Sequence, residues 1–315
     1  MSDKQKPYRS HFHSAETAIH QRLGISESIS KKTQALIRDY MPQQHRDFFE
    51  QLPIIIIATT DHHGQPWATP ICGAPSFITS PDSNTLLIHH LPPLHNVLQL
   101  EIQAEKKIGI LGIDLSTRRR NRMNGIIKKH SPLTLAVHVE HSFGNCKKYI
   151  HFRDIVGTPV PRHIVHKKET TQTEIVTQAA HHIIQRSDTF FIASRTQHIN
   201  DDVRHGLDAS HRGGKAGFVT IKNNHTLCFP DFKGNRFFNT LGNIESDQRV
   251  GLLFIDFETG DCLCISGTAT IFWDIKSIKL ASDIERLIEV NVQRVIHIPQ
   301  LVPFTYTSQD QNSQK

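Results

Sequence analysis

Two stretches of this sequence return about 140 residues further on. Gly73-Ala-Pro-Ser-Phe-Ile-Thr79 recurs as Gly214-Lys-Ala-Gly-Phe-Val-Thr220, and Ile108-Gly-Ile-Leu-Gly-Ile-Asp114 recurs as Val250-Gly-Leu-Leu-Phe-Ile-Asp256. Thr85-Leu86 matches Thr226-Leu227, and Thr117 and Gly125 match Thr259 and Gly267. The offsets are 141 and 142 residues. A period of that length exceeds a solenoid unit of about 20–50 residues. The chain therefore reads as one domain carried twice, and 315 residues are enough for each copy to bury its own core.

Within each copy the pattern is that of short strands. Ile54 to Thr60 is β-branched, Asp61-His62-His63-Gly64 is a turn, and Gln65 to Ile71 resumes an extended segment. Further strands are expected at 76–79, 85–88, 107–115, 120–127 and 133–141, with a helix over 94–103. In the second copy they are expected at 189–194, 217–221, 226–229, 249–257 and 261–272, with a loop over 196–210. The resulting fold class is mainly β, with β-barrels and flanking helices. The expected division is a helical segment over 1–50, a first barrel over 51–157, a linker and helix over 158–188, a second barrel over 189–306 and a disordered tail over 307–315.

No apolar run approaches the roughly 20 residues that span a bilayer, and the N-terminus lacks the apolar stretch of a signal peptide. Five cysteines without a framework of short spacings argue against a disulfide scaffold and for a cytoplasmic protein. Cys262 and Cys264 are expected to share one strand face and pack in the core. The formal net charge of +6 permits an anionic partner without choosing one.

The copies differ most in their charges. His211-Arg-Gly-Gly-Lys215 stands opposite Pro70-Ile-Cys-Gly-Ala74, and Arg118-Arg-Arg-Asn-Arg-Met-Asn124 stands opposite Gly260-Asp-Cys-Leu-Cys-Ile-Ser266. Each copy supplies cations where its counterpart is neutral or apolar. One composite anion site built from both halves follows. Arginine forms bidentate bonds to oxyanions, and strand alternation would put Arg118, Arg120 and Arg122 on one side. A solvated basic loop and a nucleic-acid patch are the competing readings. The latter lacks interleaved aromatics. Gly213 and Gly214 let backbone amides approach a ligand. Pro230 to Asn243 gathers Lys233, Asn235, Arg236, Asn239 and Thr240 around Phe232, Phe237 and Phe238. The 22 histidines show no metal-ligand spacing, and P-loop, GxSxG and GxGxxG motifs are absent.

Together, Met41-Pro-Gln-Gln-His45, Gly64-Gln-Pro-Trp-Ala68, Thr117 to Gly125, Ser142-Phe-Gly-Asn-Cys146, Ser210-His-Arg-Gly-Gly214, Pro230 to Asn235 and Asn239 to Asn243 resemble an internally duplicated branch of the pyridoxamine 5′-phosphate oxidase-like, FMN-binding split-barrel family. The resemblance implies two tandem split barrels forming an intrachain pseudo-dimer, with FMN in the groove between them. By the family pattern, His211, Arg212 and Gly213, together with Lys233, Asn235, Arg236, Asn239 and Thr240, would hold the cofactor phosphate. Arg118, Arg120 and Arg122 would approach from the other barrel, and Trp67 would wall the ring or pack in the core. Cys146 is followed by Lys147 where the family motif has Pro, and it reads as structural.

The implied activity is that of an FMN-dependent oxidoreductase on a small molecule. Electrons would come from NAD(P)H or a separate reductase, since neither a reductase nor an iron–sulfur module occurs up to Lys315. A non-catalytic flavin carrier or sensor and a haem-binding or haem-degrading protein are the alternatives. The protein is expected as a monomeric pseudo-dimer or a homodimer, without membrane or nucleic-acid partners, and no catalytic residue is named.

Overall fold

The structure is a computed structural model and describes residues 10–74, 76–89, 97–131, 134–156, 170–275 and 282–308. Three helices open it: α1 (Ser14–Arg22), α2 (Glu27–Gln34) and α3 (Gln43–Glu50). The first sheet follows, with β1 (Ile54–Thr60), β2 (Pro66–Cys72), β3 (Ile78–Asp82), β4 (Thr85–His89), β5 (Lys107–Asp114), β6 (Arg119–Ser131) and β7 (Thr134–Asn145). Short strands β8 (Arg153–Val156) and β9 (Thr171–Thr173) and helix α4 (Gln178–Arg186) lead to the second sheet. It contains β10 (Thr189–Arg195), β11 (Leu207–Gly213), β12 (Thr220–Asn223), β13 (Thr226–Phe232), helix α5 (Asn239–Ser246), β14 (Arg249–Ile255), β15 (Cys262–Phe272) and β16 (Ile284–Ile298), and β17 (Thr305–Ser308) closes the chain against β8.

The two sheets are the same object. Their strand orders are β2-β1-β5-β6-β7-β4-β3 and β11-β10-β14-β15-β16-β13-β12, antiparallel at every pairing, with β9 added to β16 in the second. The register repeats as well. Ala58 faces Gly109 in the first sheet as Ala193 faces Gly251 in the second, and each sheet carries a bulge at Gly125 or Gly267. These are two tandem split barrels.

Burial separates the strands into two kinds. β4 and β6 alternate buried and partly exposed positions, as strands with one wet face do. β1, β2, β5, β10, β11 and β14 are buried almost without interruption. Their second face lies against the other barrel, which is why Ile54-Ile-Ile-Ile57 does not alternate. The core of the first barrel continues through this seam into Phe191, Ala193, Leu253 and Ile255. Gly109 and Gly251 mark the closest crossings. A Cβ on Gly109 would lie 2.8 Å from the Leu207 carbonyl oxygen, and one on Gly251 would lie 2.3 Å from that of Pro66. Gly125 and Gly267 serve a different purpose: each meets a carbonyl of the neighbouring strand at its bulge.

Several elements depart from the sequence-based expectations. The loop over 196–210 ends early, because β11 begins at Leu207, and β16 was not anticipated. The helix expected to Gln103 ends at Leu98, where Leu100 bridges to Asp61; residues 90–96 lie outside the described residues. Thr307, expected to begin the disordered tail, pairs with Asp154 in β17. Most of the expected linker, 157–169, lies outside the described residues. In the N-terminal segment α2 ends at Gln34 and Pro42 is the N-cap of α3, a position whose N–H makes no intrahelical bond, and Phe48 and Phe49 of α3 are buried on the first barrel. The cap of α1 is His13, whose side chain accepts from a backbone amide while Glu16 returns a bond to the His13 N–H.

Candidate functional site

An open cleft runs between the barrels, about 810 Å³ counting the solvent at its mouth. From the first half come Arg120 and Arg122 of β6 and Asn145, Cys146, Lys148 and Tyr149 at and beyond the end of β7. The second half contributes His211–Gly213 of β11, the end of β13, the turn 234–238, the first residues of α5, and Arg286 of β16. Six cationic side chains line the cleft against one carboxylate, Asp231.

Strand geometry explains the arginines. β6 starts at Arg119, so Arg120 and Arg122 share the cleft face while Arg119 turns away, bonding the Gln44 carbonyl and lying over Phe48. Arg118 falls in the preceding turn with φ +54°, exposed and outside the cleft. Arg120 donates through Nε to the Cys146 carbonyl and through an Nη to His211 Nδ1 at 2.9 Å. Arg122 pairs with Asp208 at 2.9 Å and donates to Asn239 Oδ1 and Ser210 Oγ. Asp231 is shared, taking Arg212 at 2.8 Å and Arg286 at 2.9 Å.

Asp208 and Asp231 thus offset two of the buried cations, and the remainder repel one another. Burial, then Arg122 and Arg212, push the Arg120 guanidinium down to about 9. Arg122 is lowered by burial against the opposing pull of Asp208. His211 is held well below the ordinary histidine value by burial and by Arg120, so it is neutral. Because Arg120 donates to Nδ1, the proton of His211 sits on Nε2.

Four buried polar groups at the cleft lack partners: Nε of Arg122, Nε of Arg212, Nε2 of His211 and Nδ2 of Asn145. All four are donors. The first turn of α5 adds backbone N–H groups without a side-chain cap, because the N-cap is Phe238 in a left-handed conformation. A cleft rich in unmatched donors and positive charge is the complement of an oxyanion. Its apolar parts are aromatic: Tyr149 stacks on Phe232 with centroids 5.0 Å apart, and Phe218, Phe237 and Phe238 also face the space.

Of the residues singled out from the sequence, His211, Arg212, Gly213, Asn235, Arg236, Asn239, Thr240, Arg120 and Arg122 meet in this cleft. Three do not. Lys233 is exposed beside the cleft, with its carbonyl accepting from the Tyr149 hydroxyl. Arg118 stands in its turn. Trp67 is fully buried, its Nε1 donating to Asp61 at 3.1 Å and its ring covered by Arg294, so it cannot wall a ligand in the cleft. Sequence reasoning missed Asp208, Asp231, Tyr149 and Arg286. The sequence carried no signal for Arg286, a cation on the buried strand face that Ile288 and Val290 share.

The repeat makes a second groove equivalent to this one, with Pro70, Ile71, Cys72, Cys262 and Cys264 at the positions of His211, Arg212, Gly213, Arg120 and Arg122. That groove is filled. Cys262 and Cys264 are fully buried and belong to one apolar cluster with Val302, Phe304 and Tyr306, against which Cys72 packs.

Fold and site together define a two-barrel protein of the split-barrel class with a cationic cleft between its barrels. Residues 41–153 match the family model described as pyridoxamine 5′-phosphate oxidase. Comparison with the curated proteins gave no match. Solved structures that resemble it include HupZ of Group A Streptococcus, at 14% identity over 42% of this chain and 98% of that one, with a TM-score of 0.31. The haem storage protein HutZ of Vibrio cholerae shows 9% identity over 39% and 94% of the two chains, with a TM-score of 0.28. An FAD binding protein of Mycobacterium smegmatis shows 11% identity over 40% and 97%, with a TM-score of 0.26. Among the described residues no helix is long and apolar enough to cross a membrane, and no cluster of His, Cys, Asp and Glu is arranged to hold a metal ion.

Proposed function

We propose that the protein is a flavoprotein that holds one FMN per chain in the inter-barrel cleft and uses it as an oxidoreductase on a small molecule. The observation that carries this reading is the set of four unpartnered donors on Arg122, Arg212, His211 and Asn145, set beside a stacked aromatic wall. A phosphate satisfies such donors, and a planar ring suits the wall. Bound FMN supplies hydride transfer and reaction with O₂. The chain's own part is to grip the phosphate with Arg122, Arg212 and the first amides of α5, and to cover one ring face with aromatic side chains. The filled second groove supports a stoichiometry of one.

His211 is poorly suited to the haem alternative. An imidazole that ligates iron through Nε2 carries its proton on Nδ1, and Arg120 donates to that nitrogen.

Titration with FMN, followed by flavin fluorescence, tests the reading. Binding at one equivalent, weakened at least tenfold in Arg212→Ala, is the expected result. A protein that takes up no flavin, or an R212A variant with unchanged affinity, overturns it. NAD(P)H oxidation by the holoprotein then separates an enzyme from a carrier.

A further inference from the structure

Helix α1 packs across the first turns of α5, and the contact is built around one carboxyl group. Glu16 is 2% exposed, and its Cγ lies where a Cβ on Gly242 would come to 2.5 Å, so the helices touch at a point that only glycine allows. Glu16 Oε1 accepts from Asn239 Nδ2 at 2.6 Å, and Asn239 Oδ1 in turn accepts from Arg122 at 3.0 Å. The other oxygen accepts from the His13 N–H at 2.9 Å. Further along α1, His20 Nε2 bonds the carbonyl of Arg236, which fixes the left-handed turn that feeds α5. A relay of three side chains therefore joins a buried acid in the N-terminal helix to a cation lining the cleft.

We propose that Glu16 is a positioning residue of the cleft, holding Arg122 through Asn239, and that its ionisation weakens anion binding there. The proposal rests on the cleft binding an anion, and it needs no particular cofactor. The charged and titratable groups around Glu16 are His13 at the cap of its own helix, Asp208 on β11, Arg122 on β6, Arg204 and His205 of the loop before β11, and, across the pocket they share, His11, Lys107 on β5 and Glu140 and His141 on β7; α5 presents the amides of Asn239 and Asn243. Burial foremost, with Asp208 adding to it, raises the Glu16 carboxyl to about 8. At neutral pH it is a neutral hydrogen-bond partner. Above that range it becomes a second carboxylate beside Asp208 and offsets the charge of Arg122. A bound anion raises the carboxyl value further, so affinity is full below about 8 and is lost as the pH rises beyond it.

The test is stabilisation by inorganic phosphate, read as the shift in Tm between pH 6.5 and 9.5, in wild type, Glu16→Gln and Glu16→Ala. FMN fluorescence is measured alongside. In wild type the phosphate affinity derived from the shift should fall on the order of tenfold, one pK unit of linkage, across pH 8. Glu16→Gln should keep its neutral-pH affinity and lose that step, retaining only the decline near 9 that Arg120 causes. Glu16→Ala, which cannot hold Asn239, should bind weakly at every pH. A Glu16→Gln protein that follows the wild-type profile overturns the proposal, as does a wild type whose stabilisation is flat through pH 8. Phosphate stabilisation without FMN binding removes the flavin reading and leaves this one standing.

Discussion

The two seam glycines allow the coupling between barrel packing and the cleft to be measured. Adding a methyl group at Gly109 places it 2.8 Å from the Leu207 carbonyl oxygen and 2.9 Å from Asp208 Cα; at Gly251 the distances are 2.3 Å to the Pro66 carbonyl oxygen and 2.8 Å to Trp67 Cα. Both obstacles are backbone, so no side chain can swing aside. Ordinary contact begins near 3.4 Å. The crossing must therefore open by about 0.6 Å at Gly109 and about 1.1 Å at Gly251, and gaps of 0.5–1 Å forfeit a quarter to a half of each dispersion contact. Overpacking of this kind costs about 1–3 kcal/mol, with Gly251→Ala at the upper end or beyond. The two variants should differ in function. Gly109→Ala displaces Asp208, the partner of Arg122, and should weaken FMN binding several-fold; Gly251→Ala displaces Pro66 and Trp67, away from the cleft, and should leave affinity within about twofold. Gly144→Ala is the control, because its nearest obstacle is Asn121 Oδ1 at an ordinary 3.5 Å. Urea unfolding midpoints and FMN fluorescence titrations supply both readouts. If Gly109→Ala is as stable as Gly144→Ala, or if Gly251→Ala weakens FMN binding as much as Gly109→Ala, the seam does not position the cleft as described.

Acid should destabilise the fold early. His13 and His141 are lowered by burial to about 4 and about 3, so the stability they contribute is complete above 6.5 and is lost as the pH falls through the folded values. At pH 5 each costs about 2 kcal/mol, and thermal melts from pH 7 to 4.5 should show the decline, reduced in His141→Gln. Glu16 has the opposite sign: its raised value means stability present below 4.5 and lost toward 8, so Glu16→Gln should raise Tm at pH 8 and not at pH 4.5, by a linkage on the order of 4 kcal/mol. Of the five thiols, Cys146 is exposed in the cleft while Cys228, Cys262 and Cys264 are buried and Cys72 is half-buried. A short pulse of an anionic disulfide reagent should therefore modify one thiol, and FMN should protect it; rapid reaction of two or more contradicts this packing.

The fold was legible where sequence pattern and environment agree. Ile54-Ile-Ile-Ile57 lacked alternation because a strand buried on both faces needs none, and the strand order follows from two copies of one pattern. β16 was missed for the converse reason. Its hydrophobic and polar residues alternate only from Ile288 to Gln293, and Arg286 takes a place on the buried face with Ile288 and Val290, where Asp231 pairs with it. The site was legible as composition and less so as geometry. Arg120, Arg122 and Arg212 announced themselves by charge. Lys233 and Arg118 shared that charge, but one side chain is exposed beside the cleft and the other lies in the turn before β6, where strand alternation has not begun. Trp67 carried a motif whose packing role was a stated alternative, and its bond to Asp61 settles it in the core. The carboxylates Asp208 and Asp231 were invisible because their importance comes only from which arginines the fold brings to them.

The repeat sharpens what a single functional cleft requires. Two identical barrels related by a two-fold arrangement create two equivalent grooves, and a chain with one sequence for both barrels would line both with arginine. Here the symmetric positions that must match do match: Gly109 and Gly251 at the crossings, Gly125 and Gly267 at the bulges. At the grooves the two halves differ, with His211, Arg212, Arg120 and Arg122 in one and Pro70, Ile71, Cys262 and Cys264 in the other. Burying Arg120, Arg122 and Arg212 together is unfavourable in the absence of an anion, as the lowered value of Arg120 indicates. Filling the other groove with Cys262, Cys264, Phe304 and Tyr306 replaces that repulsion by apolar burial, at roughly 1.5–3 kcal/mol for each large side chain. The filled groove thus supplies stability that the cationic groove lacks, and occupancy of the latter should supply more: a ligand at 100 times its Kd adds about 2.7 kcal/mol. Replacing Cys264 by Arg would restore the cation at its symmetric place, but without a partner for Asp208's role the expected outcome is a destabilised protein that still binds one FMN. A variant that bound two would show that charge alone, and not the carboxylates and helix amides arranged around it, makes the site.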